Sequence, residues 1–154
     1  MTQQEPEVKP SLQALLVCER VDTAPDGTHT IHRVVDRVNV SVQIEADEPL
    51  AESPPVKVPL EFTFVTRWGA GVGHFKQHTT MTNPSGETVE FGEKEFWLPN
   101  KAESHTMLGR LTVGVSESGN YTLGAFLDNQ KVGEYVLVVE LRSHIRDRER
   151  HLPE

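Results

Sequence analysis

Leu60-Glu61-Phe62-Thr63-Phe64-Val65-Thr66-Arg67-Trp68 alternates apolar and polar side chains with the two-residue period of extended backbone, placing Leu60, Phe62, Phe64 and Trp68 on one face. That face belongs in a core. Toward the C-terminus, the link Gly69-Ala70-Gly71-Val72-Gly73 leads into His74 to Thr82, where Phe75, Thr79 and Met81 oppose His74, Lys76, His78 and Thr80. Asn83-Pro84-Ser85-Gly86 is the next turn, returning into Glu87 to Phe91. Further strands read at Glu95 to Leu98, Met107 to Val115, Tyr121 to Leu127 and Val132 to Leu141, the last two joined by a turn around Asp128-Asn129-Gln130.

Toward the N-terminus, Glu45 to Pro55 holds four acids and three prolines, which cannot donate into a ladder, so the stretch reads as a solvated loop. Leu12 to Val21 and Thr28 to Val42, joined by Ala24-Pro25-Asp26-Gly27, read as a β-hairpin, with a bulge near Val34-Val35-Asp36 to mend an imperfect alternation. No amphipathic helix of three turns stands before residue 142, and no segment recurs at a fixed period. About eight or nine short strands between turn signals predict an all-β fold, an antiparallel two-sheet sandwich of immunoglobulin-like type.

The 154 residues suffice for one domain with a real core. Residues 1–11 read as a flexible N-terminal arm, 12–141 as the β-sandwich domain, and 142–154 as a charged tail, frayed or forming a turn or two of helix. A formal net charge of -8 repels phosphate backbones, which argues against nucleic acid as a partner. Cys18 is the single cysteine, so no intrachain disulfide can form and a reducing compartment fits. Met1 to Glu7 lacks the basic and apolar regions of a secretory signal, and no run approaches the ~18 apolar residues of a membrane span, so a cytoplasmic protein without a membrane partner is expected.

Glu117-Ser118-Gly119-Asn120-Tyr121-Thr122-Leu123 matches the tyrosine corner of immunoglobulin-like domains, with Leu123 where those domains place a cysteine. The reading for Tyr121 is structural: its hydroxyl bonds back to upstream backbone, or it is an ordinary strand tyrosine. The histidines invite a metal hypothesis, which strand geometry resists. His74 and His78 share a face but lie about 13 Å apart at ~3.3 Å per residue, too far for one zinc, and His29 and His32 point to opposite faces of a regular strand. Only a cross-strand site, involving His105 or Glu93, survives that test. Gly69 to Gly73 lacks both the spacing and the following helix of a phosphate-binding loop and reads as a flexible hairpin connection. Cys18 sits in an apolar strand without an adjacent cation, and Glu87, Glu90, Glu93 and Glu95 cluster around turns as a solvated surface. Trp68 reads as core by its parity; Trp97 is open to either face.

Leu12 to Glu19, the Asp26-Gly27 turn, Val34-Val35-Asp36, Gly119-Asn120-Tyr121 and Phe126-Leu127-Asp128 together resemble a family of uncharacterised bacterial β-sandwich proteins, over roughly residues 12–141. The resemblance implies the fold and a bacterial cytoplasmic source, and it carries no site residues.

With no catalytic constellation and with Tyr135 to Val139 apolar on both faces, the expected function is a non-catalytic interaction module that self-associates, Val132, Val136 and Val138 forming the interface. No cofactor and no enzymatic activity are expected. Two other readings stand beside it: a small-ligand or carbohydrate-binding sandwich using Trp68, Trp97 and the 69–73 loop, and a cupin-like metal-dependent enzyme built on histidines from different strands.

Overall fold

A computed structural model describes residues 6–45 and 57–146, and side-chain placement for 6–43 and 57–142. Nine strands follow in chain order: β1 (Ser11–Thr23), β2 (His29–Val34), β3 (Arg37–Glu45), β4 (Val58–Gly69), β5 (Gly73–Thr82), β6 (Thr88–Leu98), β7 (Ser104–Val115), β8 (Gly119–Leu127) and β9 (Gln130–Arg146). They form a four-stranded sheet, β2-β1-β4-β7, and a five-stranded sheet, β3-β9-β8-β5-β6. The links from β4 to β5, from β6 to β7 and from β7 to β8 each pass between sheets, the Greek-key connectivity of an immunoglobulin-like sandwich.

The alternation in β4 delivers Phe64 and Trp68 to the interior, and that in β5 delivers Phe75, Thr79 and Met81. Two apolar clusters result. Phe64, Met81, Leu111, Tyr121, Leu123 and Leu137 fill one end. Trp68, Phe75, Phe96, Leu98, Met107 and Leu127 fill the other, where the Trp68 and Phe96 rings stack with centroids 5.8 Å apart. Gly109 lies directly across from Phe64, whose ring occupies the space that a Cβ there would need. Lys94 of β6 donates to the carbonyl of Leu108 in β7, closing one side of the sandwich.

Four features depart from the pattern expected of the sequence. The run Thr28 to Val42 is not one bulged strand: β2 ends at Val34 and β3 begins at Arg37, in the other sheet. Val35 donates its N–H to Val17 in the first sheet, and Asp36 accepts from the N–H of Val138 in the second, so this dipeptide carries the chain across. Arg33, at φ 53°, takes up the bend. Second, β3 runs parallel to β9, so one pair of the sandwich is not antiparallel. Third, the strands read at Glu87 to Phe91 and Glu95 to Leu98 are a single β6 that begins at Thr88, in which Gly92 and Glu93 together oppose His78 as a bulge.

The fourth concerns the ends. Val8 exchanges two backbone hydrogen bonds of 2.9 Å with Val72, and Pro10 is buried, so residues 6–10 pack on the domain instead of forming an arm; residues 1–5 lie outside the described residues. β9 continues through Arg142 to Arg146 as extended backbone beside β3, where helix or fraying was expected, and residues 147–154 lie outside the described residues. Of the acidic, proline-rich stretch read as a solvated loop from Glu45 to Pro55, Glu45 is the last residue of β3 and 46–55 lie outside the described residues.

Tyr121 is buried and its hydroxyl donates to the carbonyl of Glu117 at 2.9 Å, the bond that the corner motif calls for. The Glu117 carboxylate in turn accepts from Ser85 in the β5–β6 turn, and Ser118 Oγ accepts from the N–H of Leu141. One turn thus ties β8 to β5, β6 and β9. Tyr121→Phe keeps the ring and strands the carbonyl, so urea unfolding should show a loss of about 1.5 kcal/mol with an unchanged m-value.

Candidate functional site

With the inward faces filled, the outer faces are where chemistry could reside. On the five-stranded sheet, the outward residues include Trp97 and Glu95 on β6, His74, Lys76 and His78 on β5, Phe126 on β8, and Val132, Val136 and Val138 on β9. Trp97 pairs directly across from His74, and their rings lie within 12° of parallel with centroids 5.8 Å apart. His78 pairs across from Phe126 in the same way, at 4.5 Å and 14°. Cross-strand aromatic pairs of this kind hold both rings in one orientation.

Trp97 is 58% exposed, whereas Trp68 is fully buried and donates its indole N–H to the Gln77 side chain. The two tryptophans therefore cannot form one ligand platform: Trp68 belongs to the core, and only Trp97 faces outward. An open concavity of about 510 Å³ lies beside Trp97, bordered by His74, Lys76, Glu95 and Asp128. Asp128 Oδ1 accepts the backbone N–H of Lys76 at 2.9 Å, and the N–H of Asp128 donates to the Lys76 carbonyl, so the β8–β9 turn is pinned against β5. Asp128 and Asn129 both adopt left-handed backbone, φ 46° and 69°, which these two residue types tolerate well. The Lys76 ammonium and Glu95 carboxylate approach to 3.7 Å, an ion pair without a hydrogen bond.

The valines on β9 divide by depth. Val132 and Val136 are 46% and 43% exposed, and Val138 is half-buried. Leu137 and Val139, of the opposite parity, are core. The two-sided apolarity of the strand thus has one face in the core and one turned to solvent. β9 lies between β3 and β8 in the sheet order, pairing with β8 over Gln130–Val139 and with β3 over Val138–Arg146, so the two partners overlap only at Val138 and Val139.

The histidines are dispersed. His29 Nδ1 meets Thr23 Oγ1 at 3.0 Å, His32 meets Asp22, and His105 stacks on Phe96 with centroids 5.5 Å apart. Among the described residues no group of three or more His, Cys, Asp or Glu side chains is placed to hold a metal ion. Glu87, Glu90, Glu93 and Glu95 are all exposed. The glycine-rich link 69–73 joins β4 to β5 across the two sheets and is not a hairpin connection. Its glycines answer to close packing: a Cβ on Gly71 would lie 2.7 Å from Pro10, and one on Gly69 would meet the Gln13 side chain. Nothing there is left for a phosphate.

Phe126 and Asp128 entered the site unannounced. A signal was present in Phe126, an aromatic residue on the polar parity of its strand, but without the sheet order its neighbour His78 could not be named. Among the described residues no helix is long and apolar enough to cross a membrane.

No protein-family model matches the chain, and no curated protein does. Among solved structures, the chain is similar to the Pseudomonas fluorescens alkylpurine DNA glycosylase AlkC bound to DNA containing an abasic site analog, with a TM-score of 0.51 and 9% identity over 86% of this chain. It spans only 31% of that protein, and at such identity the likeness is one of fold. The CARDB domain of the PF1109 protein from Pyrococcus furiosus, in complex with di-metal ions, aligns over 92% of this chain and all of its own length, with a TM-score of 0.41 and 14% identity.

Cys18 has no accessible surface, and burial pushes its thiol above the ordinary cysteine range. A raised pKa means less thiolate at neutral pH, which removes the nucleophile. Ellman's reagent should therefore leave the folded protein unmodified over minutes and titrate one thiol per chain in denaturant; prompt reaction of the native protein would contradict this.

Proposed function

We propose that this domain is a non-catalytic interaction module that pairs with a second copy of itself through the outer face of β9 and its neighbours β3 and β8. One observation carries the reading: Val132 and Val136 remain exposed on the solvent-facing side of β9, where the strand pairs with β8 and its opposite parity is buried in the core. Apolar side chains standing off the outer face of a sheet are covered by a partner laid face-on against them.

Charge supports the choice of partner. Arg37, Lys131 and Arg142 stand on this half of the face with Glu134 and Glu140, so it is close to neutral although the chain carries -8. Two copies meet here with the least repulsion, and a two-fold axis would set each patch against itself. Two strands abreast at ~4.8 Å spacing along the 17 residues of β9 at ~3.3 Å make a patch of roughly 500 Å² per copy. A total near 1,000 Å² lies at the lower bound of specific interfaces and implies a weak, reversible dimer.

The glycosylase neighbour is bound to DNA, but the acidity of this chain weighs against a phosphate backbone here. A reducing bacterial cytoplasm suits the single free thiol.

Light scattering after size exclusion should find dimers at tens of micromolar that dissociate on dilution. Val136→Glu should weaken dimerisation more than tenfold by placing a charge in the patch without touching the core. A wild-type protein that stays monomeric at those concentrations would refute the proposal.

A further inference from the structure

We propose a saccharide subsite at the other end of the same sheet, beside Trp97, in the open slot of about 510 Å³. Three strand spacings, with eight residues along the strands, put it roughly 30 Å from Val136 and, with about four, roughly 20 Å from Val132, so the subsite does not depend on the dimer.

The slot has two unlike walls. Trp97 with His74 forms one, and Glu95 with Lys76, two residues along each strand, forms the other. Side chains two residues apart on one face of a strand stand about 6.6–6.8 Å apart, the room that a single non-aromatic ring needs to touch both. One wall is aromatic and apolar. The other offers donors and acceptors side by side, and because the Lys76 and Glu95 groups are 3.7 Å apart, neither is used up by the other. Asp128, anchored through Oδ1 to the Lys76 backbone, closes the end with a second carboxylate.

A pyranose fits that division. Its C–H face stacks on an indole, and its equatorial hydroxyls both give and accept hydrogen bonds. Two carboxylates against one ammonium disfavour phosphorylated or acidic ligands, so the class is a neutral sugar. The turn that holds Asp128 and the stack that holds Trp97 are in place before the ligand arrives, which reduces the ordering cost of binding.

The test uses neutral trisaccharides of glucose, galactose, mannose and N-acetylglucosamine, titrated into the full chain and followed by the backbone amide resonances together with the two indole N–H resonances. A saturable shift of the Trp97 resonance is expected, with a Kd of about 1 mM and the Trp68 resonance unmoved. Trp97→Ala should abolish binding, and Lys76→Met and Glu95→Gln should each weaken it about tenfold. All three residues are exposed, and an unchanged Trp68 resonance certifies the fold of each variant. No saturable shift with any of the four sugars up to about 100 mM, binding that survives Trp97→Ala, or full affinity in both polar variants would overturn the proposal.

Discussion

A strand bears side chains on two faces, and a two-layer sandwich shelters one face of each sheet. Every other feature of this protein follows from which face each strand turns inward. Once Trp68, Phe75 and Phe96 pack at one end and Phe64, Tyr121 and Leu137 at the other, the parity of β5, β6, β8 and β9 leaves His74, Trp97, Phe126 and Val136 outside. A slip of one residue would exchange those sets, so core and surface are specified together. The bulge of Gly92 and Glu93 opposite His78 matters for that reason: it absorbs one residue and restores the phase, so that Phe91 and Phe96 both point inward.

The same constraint shapes the exposed face. β9 is held on both sides, by β8 antiparallel and by β3 parallel, and β3 reaches that place only because Val35 and Asp36 carry the chain from one sheet to the other. The long strand thus changes partners at Val138 and Val139, from β8 to β3, and its valines are left as a face. At the far end of the sheet the aromatic and charged residues are not interchangeable with them: Trp97 and His74 are held by mutual stacking, and Asp128 by two backbone bonds to Lys76. One face therefore carries an apolar strip and a polar slot, separated by the stacked pair of His78 and Phe126 on the intervening strands.

Much of this was legible in the residues. The parity of Leu60 to Trp68 placed Trp68 in the core, the Glu117 to Leu123 motif placed the Tyr121 hydroxyl bond, and the Asp26-Gly27 turn marked the first hairpin. The imperfect alternation around Val34 was read as a bulge, because a strand that changes sheets and a strand that bulges both break the two-residue phase. The tail past Arg142 was read as frayed because charged residues are compatible with an edge-adjacent strand as well as with solvent, and only the presence of β3 alongside distinguishes the two.

Alternation is a local property of the backbone, and so the amino-acid order by itself determined that residues 12–141 are built from strands, that Phe64, Trp68, Phe75 and Met81 face the core, and where the Asp26-Gly27 and Asn83–Gly86 turns and the tyrosine corner fall. The order of strands within the sheets depends on contacts between residues far apart in the chain, such as Tyr135 donating to the carbonyl of Val35. Only the tertiary structure decided that β9 is interior, that Trp97 stacks on His74 while Trp68 bonds Gln77, and that Asp128 meets Lys76. Those pairings arise from the register between distant segments, and no local period encodes it.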